Sequence, residues 1–389
     1  MSQYVSKRAK KVPLSGIGKF CELAAKMDDI ISLAIGEPDF DTPWHIRDET
    51  IYAIKKNKTH YLESRGLLSL RKEICNYQRR RFNLEYGVEN VLVTVGASEA
   101  VDLVFRTILD EGDEVIILEP CYVAYTPAII MAGGVVKTID LKAEEEFKLK
   151  REALINAVTP KTKAVLINYP SNPTGGIMTK EDYDELIDVI VDNDLLVITD
   201  EIYAELTYDV KHYSIAQDER VKDRVILISG FSKAYAMTGF RIGYIMAHSE
   251  LITAMANIHE YTIMCPSSFV EYGALEALRR GDDDIEAMKL EFERRRNYVV
   301  GRLNEIGLKC HMPKGAFYVF FNITSSGLSS DDYAIKLITD YKVAVVPGNA
   351  FGKCGEGFVR ISYASSMDEL KEALNRIERM YNDTKECSC

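Results

Sequence analysis

Four segments of the chain place chemically able side chains directly after apolar runs. In Val197-Ile198-Thr199-Asp200-Glu201-Ile202-Tyr203 a carboxylate closes the run and a phenol follows three residues later. In Ser229-Gly230-Phe231-Ser232-Lys233-Ala234 a single lysine stands among small residues, and Arg241 follows eight residues on, between Gly239 and Gly243. A lysine held in an apolar crevice is costly to keep charged, so its pKa falls and it becomes a usable amine nucleophile. Asn168-Tyr169-Pro170-Ser171-Asn172-Pro173-Thr174-Gly175 sets an amide before a proline, whose ring fixes its own φ and pushes Asn172 toward extended backbone. Val95-Gly96-Ala97-Ser98-Glu99-Ala100 reads as a strand, a glycine turn and a helix start, which offers backbone N–H groups and a hydroxyl to an anion that Arg241 can share. Singly, each segment is ordinary cap, turn or loop chemistry. Their joint order is not ordinary.

The elements that must position these groups are alternating strands and helices. Short β-branched runs at Val91–Val95, Val115–Leu118, Ala164–Ile167, Leu195–Thr199 and Val225–Ser229 predict buried strands of a mostly parallel α/β sheet. Between them lies a helix over Lys180–Asn193, opened by Thr179 with Asp182 three residues on, in the manner of a capping box. Ligands of such sheets bind beyond the carboxyl ends of the strands, where all four segments fall. A charged amphipathic stretch from Asp284 to Gly307 predicts a helix linking two lobes. Strand-like Ala316–Asn322 and Val343–Val346 then alternate with helices over Asp331–Asp340 and Met367–Asn382, which is α+β content suited to a smaller domain.

Composition narrows the function classes. The 389 residues carry a net charge of −11, which disfavours a nucleic-acid backbone as partner. The runs Arg79–Arg81 and Arg294–Arg296 sit in charge-mixed helical stretches and read as solvated helix faces. Eight scattered cysteines, with no paired C-x-x-C elements, point to reduced thiols in a cytoplasmic protein and to no metal site. No apolar run is long enough to span a membrane, and the polar N-terminus leads into no signal-like core. A Rossmann dehydrogenase is disfavoured, since G-x-G-x-x-G is absent and Gly16-Ile17-Gly18 follows no strand.

An amine, a carboxylate, donors and an anion cup together are what a pyridoxal-phosphate site requires. At this point the chain resembles the class I/II aminotransferases of the type I pyridoxal-phosphate fold, especially the bacterial and archaeal aspartate and aromatic aminotransferases. The resemblance runs from Leu33-Ala34-Ile35-Gly36-Glu37-Pro38-Asp39-Phe40 to Arg360-Ile361-Ser362-Tyr363-Ala364. It implies a large cofactor domain over 44–284, built on a mostly parallel seven-stranded sheet, and a smaller α+β domain from 1–43 and 285–389.

By this resemblance Lys233 carries the cofactor as a Schiff base and shuttles the proton at the substrate Cα. Asp200 keeps the pyridine nitrogen protonated, Tyr203 and Asn172 hydrogen-bond the ring oxygen, and Tyr122 stacks on the ring. Ala97, Ser98 and Arg241 hold the phosphate. Many relatives place a serine where Gly230 stands, so Ser229 or Ser232 is left to supply that contact. Arg360 takes the substrate carboxylate as a bidentate pair, with Asn172 and the Gly36 backbone beside it. Tyr61 matches a tyrosine given to the neighbouring subunit's phosphate, which implies a homodimer with shared sites.

For the substrate, Ile17, Tyr122 and the partner's Tyr61 region imply an apolar or aromatic side chain, with 2-oxoglutarate as acceptor. Some aspartate-directed relatives carry a lysine where Ser98 stands, which weakens a strict aspartate reading, while a diaminopimelate-type or broad-range enzyme stays open. The rivals are a pyridoxal-phosphate C–S β-lyase and a cofactor-sensing regulator. The regulator is disfavoured because fewer than forty residues precede Leu33.

Overall fold

The computed structural model describes residues 2–13, 16, 18, 20, 27 and 29–386. Its strands, in chain order, are β1 (Ile31–Ser32), β2 (Val91–Thr94), β3 (Glu114–Glu119), β4 (Val135–Asp140), β5 (Thr162–Asn168), β6 (Leu196–Asp200), β7 (Val225–Gly230), β8 (Gly243–Met246), β9 (Tyr318–Asn322), β10 (Val343–Ala344), β11 (Val346–Pro347) and β12 (Phe358–Ser362). Seven of them form one sheet in the order β2-β8-β7-β6-β5-β3-β4. Strands β3 to β7 run parallel, while β8 is antiparallel to both of its neighbours. Helices cover both faces, so the inner strands bury residues on both sides and read as near-continuous Val, Ile and Leu.

Register places the chemistry. Asn168, at the end of β5, lies opposite Asp200 at the end of β6, which in turn lies opposite Ile228 of β7. Three of the four chemically able segments therefore leave the sheet side by side at its carboxyl edge. The fourth reaches the same edge because β8 joins β2 to β7, setting Thr94 against Gly243 and Gly230 against Gly243.

A second core gathers the antiparallel sheet β11-β12-β9 with the helices Ser330–Tyr341, Met367–Glu386 and the C-terminal part of the helix Asp282–Ile306. The expected strand over Val343–Val346 is split. Val343 and Ala344 pair with β1, whereas Val346 and Pro347 pair with β12, because the chain steps here from one sheet to another. Leu33 ties the N-terminal segment into this lobe, donating to Ala344 O and accepting from Ser362 N. That tie leads the chain directly to Gly36.

One reading of the charge runs is overturned. Arg295 and Arg296 are buried: Arg295 pairs with Asp39 and Glu291, and Arg296 with Asp209 and Glu293. Arg81 likewise reaches inward to the buried Glu205, which also takes the Tyr77 hydroxyl. Arg79, Arg80 and Arg294 keep the solvated character expected of all six. Asp39, Asp209 and Glu205 are distant in sequence from Arg295, Arg296 and Arg81, so helix pattern alone could not identify the inward members. Strand β4, at the sheet's edge, was not expected, since its mostly exposed residues carry no buried run.

Thr179 does cap the helix Lys180–Asp192. Its hydroxyl accepts from Asp182 N, and the Asp182 carboxylate accepts from Thr179 N. Replacing Thr179 by Ala is expected to lower unfolding free energy by about 1 kcal/mol in urea titration, with an unchanged m-value.

Candidate active site

A cavity of about 410 Å³ opens at the carboxyl edge of β5, β6 and β7, with Tyr318 of β9 and Arg360 of β12 on its wall. It brings together Gly36, Ala97, Ser98, Tyr122, Asn172, Asp200, Tyr203, Ser232, Lys233, Arg241 and Arg360, which come from seven separate stretches of the sequence. Tyr61 is not among the lining residues and is 82% exposed. Ile17 lies outside the described residues.

Lys233 follows β7 after the buried Phe231, and its Nζ donates to Gly36 O at 2.6 Å. Burial lowers its amine to about 8; Glu37 opposes the shift, while the cations Arg360 and Arg241 add to it. Asp200 behaves in the complementary way. Burial raises its carboxyl to about 6, and hydrogen bonds from the Tyr125 hydroxyl (2.7 Å) and Ile202 N (3.1 Å) restrain the rise. Both groups are thus tuned toward neutral pH, as acid–base chemistry in that range demands.

The Asn168 side chain locks two strand ends. Its Nδ2 donates to Asp200 O, and its Oδ1 accepts from Asn172 N. Asn172 Oδ1 in turn accepts from Arg360 Nη1 at 2.9 Å, and Arg360 Nη2 donates to Ala34 O. Arg360 is only 1% exposed and lies between two aromatic rings, 4.5 Å from the centroid of Tyr318 and 4.8 Å from that of Phe351. The Tyr203 and Tyr318 hydroxyls share a hydrogen bond of 2.7 Å. Tyr122 meets the cavity and packs edge-on against Tyr125, with centroids 5.6 Å apart.

At the anion cup, Gly96 has φ +76° and opens the helix Gly96–Ile108. A Cβ there would stand 2.8 Å from Arg241 Nη2, so glycine serves both the turn and the close approach of the guanidinium. The Gly230 question also resolves. A Cβ at Gly230 would meet Gly243 Cα at 3.0 Å, which disfavours serine here. Of the two substitutes, Ser232 lines the cavity, whereas the Ser229 hydroxyl turns to Glu201 O.

Sequence reasoning missed Asn168, Tyr125 and Tyr318. Asn168 had a usable signal, as the polar residue that ends a buried strand. The two tyrosines had none, because a buried aromatic at these positions reads as core.

Comparison with known proteins agrees with this geometry. The family described as Aminotransferase class I and II matches residues 28–377. The chain belongs to that family. It is 48% identical over 385 residues, 99% of its length and 100% of the other's, to a putative aminotransferase, YugH, of Bacillus subtilis. It is 44% identical to an aspartate aminotransferase of Pyrococcus abyssi, over 98% of this chain and 99% of that one. The crystal structure of an aromatic aminotransferase from Pyrococcus horikoshii superposes with a TM-score of 0.90 at 43% identity, covering 95% of this aminotransferase and 99% of the other. It is a pyridoxal-phosphate-dependent aminotransferase. The residues present fit the cofactor: a desolvated amine, a buried carboxylate and a cup whose glycine leaves room for an arginine share one cavity.

The Lys233 amine sets a pH test for the cofactor-free protein. Below about pH 8 most of it is protonated, so the rate of aldehyde capture should rise about tenfold per pH unit and level off above 8. Stopped-flow absorbance after mixing with pyridoxal phosphate measures this, and a profile still rising steeply to pH 10 would contradict the lowered value.

Proposed function

We propose that this aminotransferase takes an amino donor with an apolar or aromatic side chain and passes its amino group to a 2-oxo acid such as 2-oxoglutarate, by a ping-pong mechanism. The observation that carries the substrate class is the count of cations. Among the described residues lining the cavity they are Lys233, Arg241 and Arg360, and each has a task of its own, so this chain offers no cation dedicated to a second carboxylate. An apolar donor needs none, and the distal carboxylate of 2-oxoglutarate would be met by neutral donors rather than by an ion pair. Ser98 stands where a lysine would serve an aspartate-type donor, while Ile35, Val101 and Ile202 supply apolar wall.

Pyridoxal phosphate, when bound, supplies an aldehyde to the amine and a ring that accepts the electron pair left at the substrate Cα. Lys233 Nζ holds that aldehyde at rest and, once released by the donor amine, moves the proton away from Cα. Asp200, held by Tyr125 and Ile202, is the carboxylate that would meet the ring nitrogen and keep a proton there. Tyr203 and Asn172 would donate to the ring oxygen, and Tyr122 would bound the ring face. Ala97, Ser98, Ser232 and Arg241 hold the phosphate through backbone N–H groups, hydroxyls and the guanidinium. Arg360 receives the substrate carboxylate as a fork, beside Asn172 and Gly36. Closure of a small lobe (1–43 and 285–389) over a large one (44–284) excludes water.

The exposed Tyr61 supports a homodimer in which it completes the neighbouring subunit's phosphate site. The free thiols at Cys75, Cys121, Cys265, Cys310 and Cys354 suit a reducing, cytoplasmic setting. An aspartate-type donor is the second reading, favoured by the aspartate aminotransferase of Pyrococcus abyssi.

A donor panel tests the substrate class: the bound cofactor's spectrum is followed as each amino acid is added. Phenylalanine or tyrosine should convert the enzyme with kcat/KM about tenfold or more above aspartate, and the reverse order would select the second reading. Arg360→Lys should raise KM for every donor about tenfold or more, because lysine cannot reproduce the fork. For the dimer, inactive Lys233→Ala mixed with an inactive Tyr61→Ala partner should regain part of the activity, and none in verified hybrids would count against shared sites.

A further inference from the structure

The hydroxyl of Tyr318 has no place among the groups assigned above, yet it sits where three of them meet. It is buried, it shares a 2.7 Å hydrogen bond with the Tyr203 hydroxyl, and its ring lies 4.5 Å from the Arg360 guanidinium carbon. The Gly36 backbone runs so close that a Cβ there would collide with this same hydroxyl. We propose that Tyr318 is a positioning residue for the amino-transfer reaction: it donates its proton to Tyr203 Oη and so fixes the Tyr203 proton toward the cofactor's ring oxygen.

The direction follows from hydrogen counting. Each phenol owns one proton. If Tyr203 gives its own to the ring oxygen, its oxygen is left as an acceptor, and the Tyr318 hydroxyl at 2.7 Å is the donor in place to fill it. Two phenols in series polarise one another, so the outer bond strengthens the inner. Charge favours the same direction. Burial raises the Tyr318 phenol, and the neighbouring Arg360 opposes that rise, which makes its proton easier to give. Burial also raises Tyr203, well above the ordinary tyrosine value, and Arg360 opposes the rise there too, although its guanidinium lies directly against the Tyr318 ring. Tyr318 belongs to β9 of the smaller lobe, whereas Tyr203 follows β6 of the large sheet, so the pair also joins the residue beneath the carboxylate clamp to the ring oxygen's donor.

The inference rests on the proposed role of Tyr203, and the test separates the two. The readout is the pH midpoint of the visible spectrum of the cofactor bound to Lys233, which a stronger donor at the ring oxygen lowers. The charged groups facing the Lys233 amine are Glu37, Arg360, Arg241 and Asp200, and those facing Tyr318 are Arg360, Tyr203 and Tyr122. Tyr318→Phe removes none of them and keeps the ring under Arg360. It should raise the midpoint by roughly 0.5 to 1 unit, Tyr203→Phe should raise it further, and the double variant should match Tyr203→Phe alone. A packing role for the hydroxyl would change thermal stability and leave the midpoint where it was.

No shift in Tyr318→Phe, or an additive shift in the double variant, overturns the inference. No shift in Tyr203→Phe overturns the Tyr203 assignment itself. Should Tyr318→Phe fail to hold the cofactor, Gly36→Ala tests the same point. Its added Cβ pushes the Tyr318 hydroxyl off Tyr203, and it should raise the midpoint by the same amount; an unmoved midpoint overturns the inference.

Discussion

The side-chain amide of Asn168 is the interaction on which the site depends. It ends β5 and uses both of its polar atoms at once, donating to the Asp200 carbonyl and accepting from Asn172 N. Strand register alone sets Asn168 opposite Asp200, but register leaves the loops beyond the strands free to wander. The amide removes that freedom at the point where the chain leaves the sheet. Asn172 is thereby placed to accept from Arg360 of β12, so one buried side chain ties down the backbones of Asp200 and Asn172 and, at one remove, a guanidinium.

Burial does the rest of the tuning. The same loss of water that lowers the Lys233 amine raises the Asp200 carboxyl, so a single apolar crevice moves two opposite ionisations toward neutrality. Neither group is left to desolvation alone. Tyr125 and Ile202 restrain Asp200, while Gly36 O accepts from Lys233. A buried ionisable group with directed hydrogen bonds keeps a defined proton count, whereas one without them shifts until it neutralises.

Much of this was legible in the sequence. Strands β2, β3, β5, β6 and β7 were, because burial on both faces leaves continuous apolar runs, and so were the groups that stand immediately after them; the equally buried but shorter β8 was not. The capped helix at Thr179 was read from two residues. Exposed β4 was not, since an edge strand need not bury what an inner strand must. Arg295 and Arg296 looked like a solvated face, and only the fold brings Asp39 and Asp209 against them. Tyr125 and Tyr318 escaped for a related reason. Their rings do ordinary core packing, and what distinguishes them is a hydroxyl whose partner lies 75 or 115 residues away.

The aromatic sandwich around Arg360 has an entropic consequence. A free arginine samples many rotamers and loses that freedom when it grips a carboxylate. Here Tyr318 and Phe351 flank the guanidinium, and Asn172 and Ala34 hold two of its nitrogens, so the side chain is held in one orientation by the protein itself. The ordering was completed during folding, so more of the attraction between guanidinium and carboxylate appears as affinity. The clamp is also indifferent to what lies beyond the carboxylate, which suits a reaction in which two chemically different acids must take turns in one seat.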